Sequence, residues 1–148
     1  MTSYNFLFVK NIRYTNSNRS LGRIRIMLGI IFLMTGTMKL ALSEFGSAWS
    51  IQLTEAGIPL YEFNYWFVPI FEIALGAVLL LGYYSRIAAF MVLPLMMVAI
   101  YVHLTVNDPS AFPAQPHEPI IPFALIIMAL VIIKKGGGNW SLDLRSFK

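Results

Sequence analysis

YWFVPIFEIALGAVLLLGYYSRIAAFMVLPLMMVAIYVHLTV, from Tyr65 to Val106, is the stretch that decides the fold. Glu72, Arg86 and His103 are its only acidic, basic or imidazole side chains. Two apolar runs, Tyr65 to Leu81 and Ile87 to Val106, flank a short polar turn. At helical rise, runs of this length cover roughly 26 to 30 Å, near the thickness of the hydrocarbon layer of a bilayer. A helix satisfies its own backbone groups in lipid, whereas a lone strand does not. The stretch therefore reads as two membrane helices joined by a tight turn.

Working outward, similar runs lie from Ile26 to Leu42 and from Pro119 to Ile133. The expected architecture is all-α: an integral membrane four-helix bundle over residues 22–135. Residues 1–21 precede it as a cytoplasmic segment, and residues 136–148 follow as a cytoplasmic tail. The fourth run is the shortest and is expected to extend into Glu118 and Lys134. Composition agrees. The 148 residues are 57% apolar and only 12% charged, against about 25% charged in a soluble domain. The segment before Gly22 is polar and lacks an apolar run of its own, so it does not read as a signal peptide.

Orientation follows from the basic residues. Lys10, Arg13, Arg19, Arg23 and Arg25 precede the first run, Arg86 lies in the turn, and Lys134, Lys135, Arg145 and Lys148 follow the fourth. The other two connections, 43–64 and 107–118, contain no Lys or Arg but hold Glu44, Glu55, Glu62, Asp108 and Glu118. Both termini are therefore expected on the cytoplasmic side of an inner, multi-pass membrane protein. The basic amino terminus reads as a topology signal that also binds anionic membrane lipids. No recognition motif accompanies it, so no nucleic-acid partner is expected. The chain has no cysteine, which excludes disulfides, thiolate metal sites, iron–sulfur ligation and thiol redox chemistry.

Breakers shape the rest. Pro109, Pro113, Pro116 and Pro119 predict a stiff second outer connection, while Pro119 and Pro122 suit the first turn of a helix. Pro69 and Pro94 lie inside spans and predict kinks that free backbone carbonyls. Gly136, Gly137 and Gly138 read as a helix stop with a flexible hinge.

Lys39, Glu72 and His103 are out of place in a purely apolar bundle, because a charge at depth is costly unless paired or hydrated. Helix rise puts Lys39 and His103 about 5 Å, and Glu72 about 10 Å, below the outer boundary. Periodicity places Lys39 with Phe32, Thr35 and Gly36, Glu72 with Pro69 and Gly76, and His103 with Met96 and Ala99. All three therefore point into one interior. One reading is a Lys39–Glu72 ion pair that sets helix register, with His103 beside it. A second is a quinone head-group site, with Lys39 and His103 donating to carbonyl oxygens and Glu72 relaying a proton. Tyr65 and Trp66 are candidates to stack on a ligand ring or to sit in an interfacial belt. Ion or proton conduction is a third reading, without a visible inverted repeat to support it. His103, His117, Asp108, Glu44 and Glu118 include suitable metal donors, but no helical His pair exists and no metal is expected.

The run GRIRIMLGIIFLMTGTMKL (Gly22 to Leu40), the triplet GIP at Gly57 to Pro59, FEIALGAVLLLGYYSRIAAF (Phe71 to Phe90), His103 and the closing GGGNWSLD (Gly136 to Asp143) together resemble the DoxX family. The resemblance implies a four-helix membrane bundle. One branch of that family is a subunit of thiosulfate:quinone oxidoreductase, other members are associated with redox complexes, and distant relatives are membrane assembly factors. It thus implies an accessory subunit of a larger complex of integral membrane proteins. A quinone-binding subunit of an oxidoreductase is the alternative, and a small transporter or channel the third. No complete catalytic constellation is visible, so the isolated chain reads as a subunit rather than an enzyme in its own right.

Overall fold

The computed structural model describes residues 13–106 and 118–146. Asn107, Asp108, His117, Lys10, Lys148 and the prolines at 109, 113 and 116 lie outside the described residues. Those described form helices and turns without strands. Three helices are long and apolar enough to cross a membrane: α1 (Arg19–Ala41), α3 (Tyr61–Leu81) and α4 (Ser85–Thr105). A shorter amphipathic helix, α2 (Ser43–Glu55), follows α1. The fourth apolar run forms α5 (Ile120–Lys135), and a single turn, α6 (Leu142–Arg145), closes the chain. At 16 residues, α5 is about 24 Å long, shorter than a full crossing.

The helix boundaries depart from the hydropathy runs where polar residues continue the helix. α1 begins seven residues before Ile26 because Asn18 caps it, accepting from the backbone N–H groups of Ser20 at 2.8 Å and Leu21 at 3.2 Å. The connection 43–64 is not a loop throughout. Leu42 is extended for one residue, then α2 starts and buries Gly46, Ala48, Trp49, Gln52 and Leu53. It ends at Glu55, and Gly57 two residues on, with φ of 62°, takes the left-handed conformation typical of a helix stop.

α1 packs along α3, and α4 along α5, with α1 also meeting α5. The core between them is built of Leu28, Phe32, Leu75, Leu79, Ala89, Val92, Ala129 and Ile132 among others. α1 and α3 approach closely through glycines. A Cβ on Gly76 would lie 2.8 Å from the carbonyl oxygen of Gly29, and one on Gly36 would lie 2.6 Å from that of Pro69. Large apolar side chains such as Met27, Met34, Phe63, Trp66, Ile70, Phe90 and Met97 point outward, as lipid contact requires.

The end of the bundle where the N- and C-terminal segments meet departs most from the sequence expectation. Arg25 is not a free topology charge. It is fully buried and donates to five backbone carbonyls: Leu79, Leu80 (2.8 Å), Gly137 (2.9 Å), Trp140 (3.1 Å) and Asn139 (3.2 Å). Two of these belong to the C-terminal turn of α3, where the helix dipole attracts a cation. Nor is the glycine run a flexible hinge. It is pressed between Thr15, Ser85 and the start of α1, with no room for a Cβ at any of its three positions. Asp143 completes this cap. Its carboxylate accepts from the N–H groups of Tyr84 (2.9 Å) and Ser85 (2.8 Å) and from the Ser85 hydroxyl (2.8 Å), capping α4 from a remote segment. Arg13 pairs with Asp143 at 3.2 Å and lies over the rings of Tyr83 and Tyr84.

Candidate functional site

Lys39 and Glu72 meet because Gly36 lets α1 touch α3 at Pro69. One helical step further along each helix, the lysine Nζ donates to both carboxylate oxygens of Glu72, at 2.7 and 2.9 Å. Both side chains are nearly inaccessible, at 10% and 7% of their surface. The ion-pair geometry expected from helical periodicity is present.

Proline chemistry recruits a third group. Pro69 has no N–H, so the Tyr65 carbonyl four residues earlier loses its helical partner. The indole N–H of Trp49, on α2, donates to that carbonyl at 3.3 Å. The same indole lies under the lysine, with Nζ 4.6 Å from the ring centroid. Trp49 therefore joins α2 to the kink of α3 and to the cation of the pair. Hydropathy does not mark it, because residues 43–64 lie between the apolar runs. The signal that reveals it is the spacing of Gly46, Trp49 and Leu53 on one face, together with the carbonyl that Pro69 must orphan.

His103 is buried two residues before the end of α4. Its Nδ1 lies 2.8 Å from the carbonyl oxygen of Ala99, one turn earlier. Its Nε2 is buried without a hydrogen-bond partner. His103 makes no direct bond to the Lys39–Glu72 pair. What unites the three is a cavity of about 500 Å³ that they line together with Trp49, Gln52 and Asn64. That volume falls within the usual range for small-molecule sites. Thr35 adds a hydroxyl beside Glu72, and the rest of the lining is apolar: Ile31, Phe32, Phe71, Leu95, Met96 and Leu125 among others.

The fold explains the chamber. α3 and α4 are joined by a short turn at Gly82–Tyr84, yet they pack on each other less than each packs on its other partner. The gap between them is the cavity. α2 closes the cavity's end away from the terminal segments by packing on α1, α3 and α4, and the Tyr101 hydroxyl donates to the Ala56 carbonyl at 3.1 Å. Phe67 of α3 and Val98 of α4 line the cavity and are also exposed, so the chamber reaches the lipid-facing side between these helices.

Tyr65 and Trp66, the candidates for ring stacking, do not line the chamber. Tyr65 stacks on Tyr61 at 5.9 Å and meets the edge of Trp66 at 5.2 Å, and Trp66 faces outward. Among the described residues no cluster of three metal-type ligands exists. Asp108 and His117 lie outside them.

The fold and the site define a helical membrane protein with a lidded intramembrane chamber whose polar end carries an ion pair and a histidine. The chain belongs to the DoxX family, whose family model matches residues 21–105, more than half of its length. No curated protein and no solved structure matches it.

Proposed function

We propose that this DoxX protein is a small subunit of a larger inner-membrane complex and holds a quinone in the chamber between α3 and α4. The observation that carries the reading is the chamber's division into a polar end and an apolar remainder. Lys39, Glu72 and His103 offer hydrogen-bonding groups for a head group. The apolar lining and the side opening at Phe67 and Val98 suit an isoprenoid tail arriving from the bilayer. The residues present fit such a group. When bound, it supplies two-electron carrier chemistry, while the chain positions its head group and excludes water from it.

The same reading has four crossings with both termini cytoplasmic. α5, at 16 residues, then spans with help from Lys134 and Lys135, whose long stems reach the interface while the bilayer thins by a few ångströms. The cysteine-free sequence is a ready background for checking this. A membrane-impermeant maleimide added to intact cells labels Ser47→Cys in α2 and spares Ser20→Cys. The reverse pattern refutes the orientation.

Mild solubilisation from native membranes tests the function itself. A partner protein at fixed stoichiometry and an extractable quinone are expected to accompany the chain. Replacing Glu72 by Gln and His103 by Ala is expected to lower quinone occupancy at least severalfold. A quinone-free solitary monomer refutes the proposal. A second reading is a ligand-free accessory subunit, favoured by the fact that Lys39 and Glu72 already satisfy each other.

A further inference from the structure

Resting on the quinone reading above, we infer that the chamber is built for the hydrogen-bond-donating form of its ligand, a hydroquinone rather than the oxidised quinone. A backbone carbonyl only accepts, so the 2.8 Å bond of His103 to Ala99 requires that Nδ1 carry the proton. In the neutral ring the other nitrogen, Nε2, then presents a lone pair. That nitrogen is buried and has no partner in the protein. A doubly protonated ring here would add a buried cation with an unpartnered N–H. The acid that lines the chamber, Glu72, already has both its oxygens on Lys39. Nε2 is therefore an acceptor waiting for a donor.

Glu72 points the same way. Each oxygen accepts one bond from Lys39 Nζ, the Thr35 hydroxyl bonds the same carboxylate, and a carboxylate has about four acceptor positions in all, so capacity remains. The lysine is meanwhile held between that carboxylate and the Trp49 ring. The polar end thus has acceptor capacity to spare at two side chains. A quinone carbonyl brings only acceptors and leaves the buried Nε2 unsatisfied. A hydroquinone brings O–H groups that fill it, and buried polar groups discriminate strongly between a ligand that pairs with them and one that does not.

The test compares three probes on the full-length protein in a phosphatidylethanolamine–phosphatidylglycerol nanodisc under anaerobic conditions. They are a short-chain alkyl hydroquinone, its quinone, and its dimethyl ether, which has the ring and oxygens but no donor. Calorimetry reads the affinities. The hydroquinone is expected to bind about tenfold tighter than either other probe. His103→Leu is expected to bring the hydroquinone-to-quinone affinity ratio close to one, by weakening the hydroquinone more than the quinone. Since that variant also changes a buried side chain, the ether on the unaltered protein applies the same test without a substitution. A quinone or ether that binds as tightly as the hydroquinone to the unaltered protein overturns the inference and leaves the quinone reading standing. Failure of all three to bind overturns the quinone reading and this inference with it.

Discussion

Lys39→Met is expected to destabilise the protein more than Glu72→Leu, and the double variant less than Lys39→Met alone. The lysine substitution keeps most of the apolar stem and removes the ammonium. It leaves the Glu72 carboxylate at the twelfth of the 21 positions of α3, 5% exposed, with both hydrogen bonds to Lys39 gone. Removing one member of a buried pair costs about 3–5 kcal/mol. A short carboxylate at mid-helix has no stem with which to reach water. The reverse variant is less severe. Lys39 is two residues from the end of α1, and its four-carbon stem reaches the interface once Glu72 is gone. Glu72→Leu is therefore expected to cost about 1–3 kcal/mol, the loss of the pair without a stranded charge. The double variant replaces both charges by apolar groups, which is often close to neutral. Reversible unfolding in mixed micelles by titration with sodium dodecyl sulfate measures all three. Additive single effects in the double variant, or a Glu72→Leu cost equal to that of Lys39→Met, would refute the coupled, asymmetric pair.

Trp49→Phe keeps a ring beneath Lys39 but removes the donor to the Tyr65 carbonyl, so it is expected to cost about 1–3 kcal/mol in the same titration. Gly76→Leu drives a side chain into the Gly29 and Leu33 backbone and is expected to lower the melting temperature by pushing α1 off α3. A Gly76→Leu protein that melts like the parent would refute the close approach. Arg25→Met strands the Gly137, Asn139 and Trp140 carbonyls at about 1–3 kcal/mol each. Limited proteolysis is expected to cut the segment after Lys135 in this variant first. Arg25→Lys rescues it only in part, because three donors on one nitrogen do not span five carbonyls.

Lys39, Glu72 and His103 stood out in the sequence because each is expensive in an apolar run, and the structure brings all three to one chamber. The positions of α1, α3 and α4 were equally readable, since hydropathy is a local property of a chain in lipid. Three features were not readable, and each depends on contacts distant in sequence. Arg25 follows four other basic residues, so it looks like a topology charge until the carbonyls of residues 137–140 arrive beside it. Asp143 sits in a polar tail, yet it caps a helix that begins 58 residues earlier. Trp49 lies on a half-apolar helix at the membrane boundary, where hydropathy distinguishes helix from loop poorly. Its role becomes visible only when Pro69 is followed to the carbonyl it orphans. Tyr65 and Trp66 were open to two readings, an interfacial belt or stacking on a ligand ring. Neither lines the chamber: Trp66 faces outward, and Tyr65 packs on Tyr61 and Trp66.

The cap around Arg25 has a consequence for how the protein is made. Arg25 is synthesised early, while three of the five carbonyls it binds belong to residues 112 to 115 positions later. Until the ribosome has released that segment, the first helix carries a buried cation without most of its ligands. A chain interrupted before Gly137 would retain its apolar helices but keep this unresolved charge. Arg25 thus acquires its full set of ligands only once the closing segment has been made, so the last residues synthesised complete the environment of one of the first.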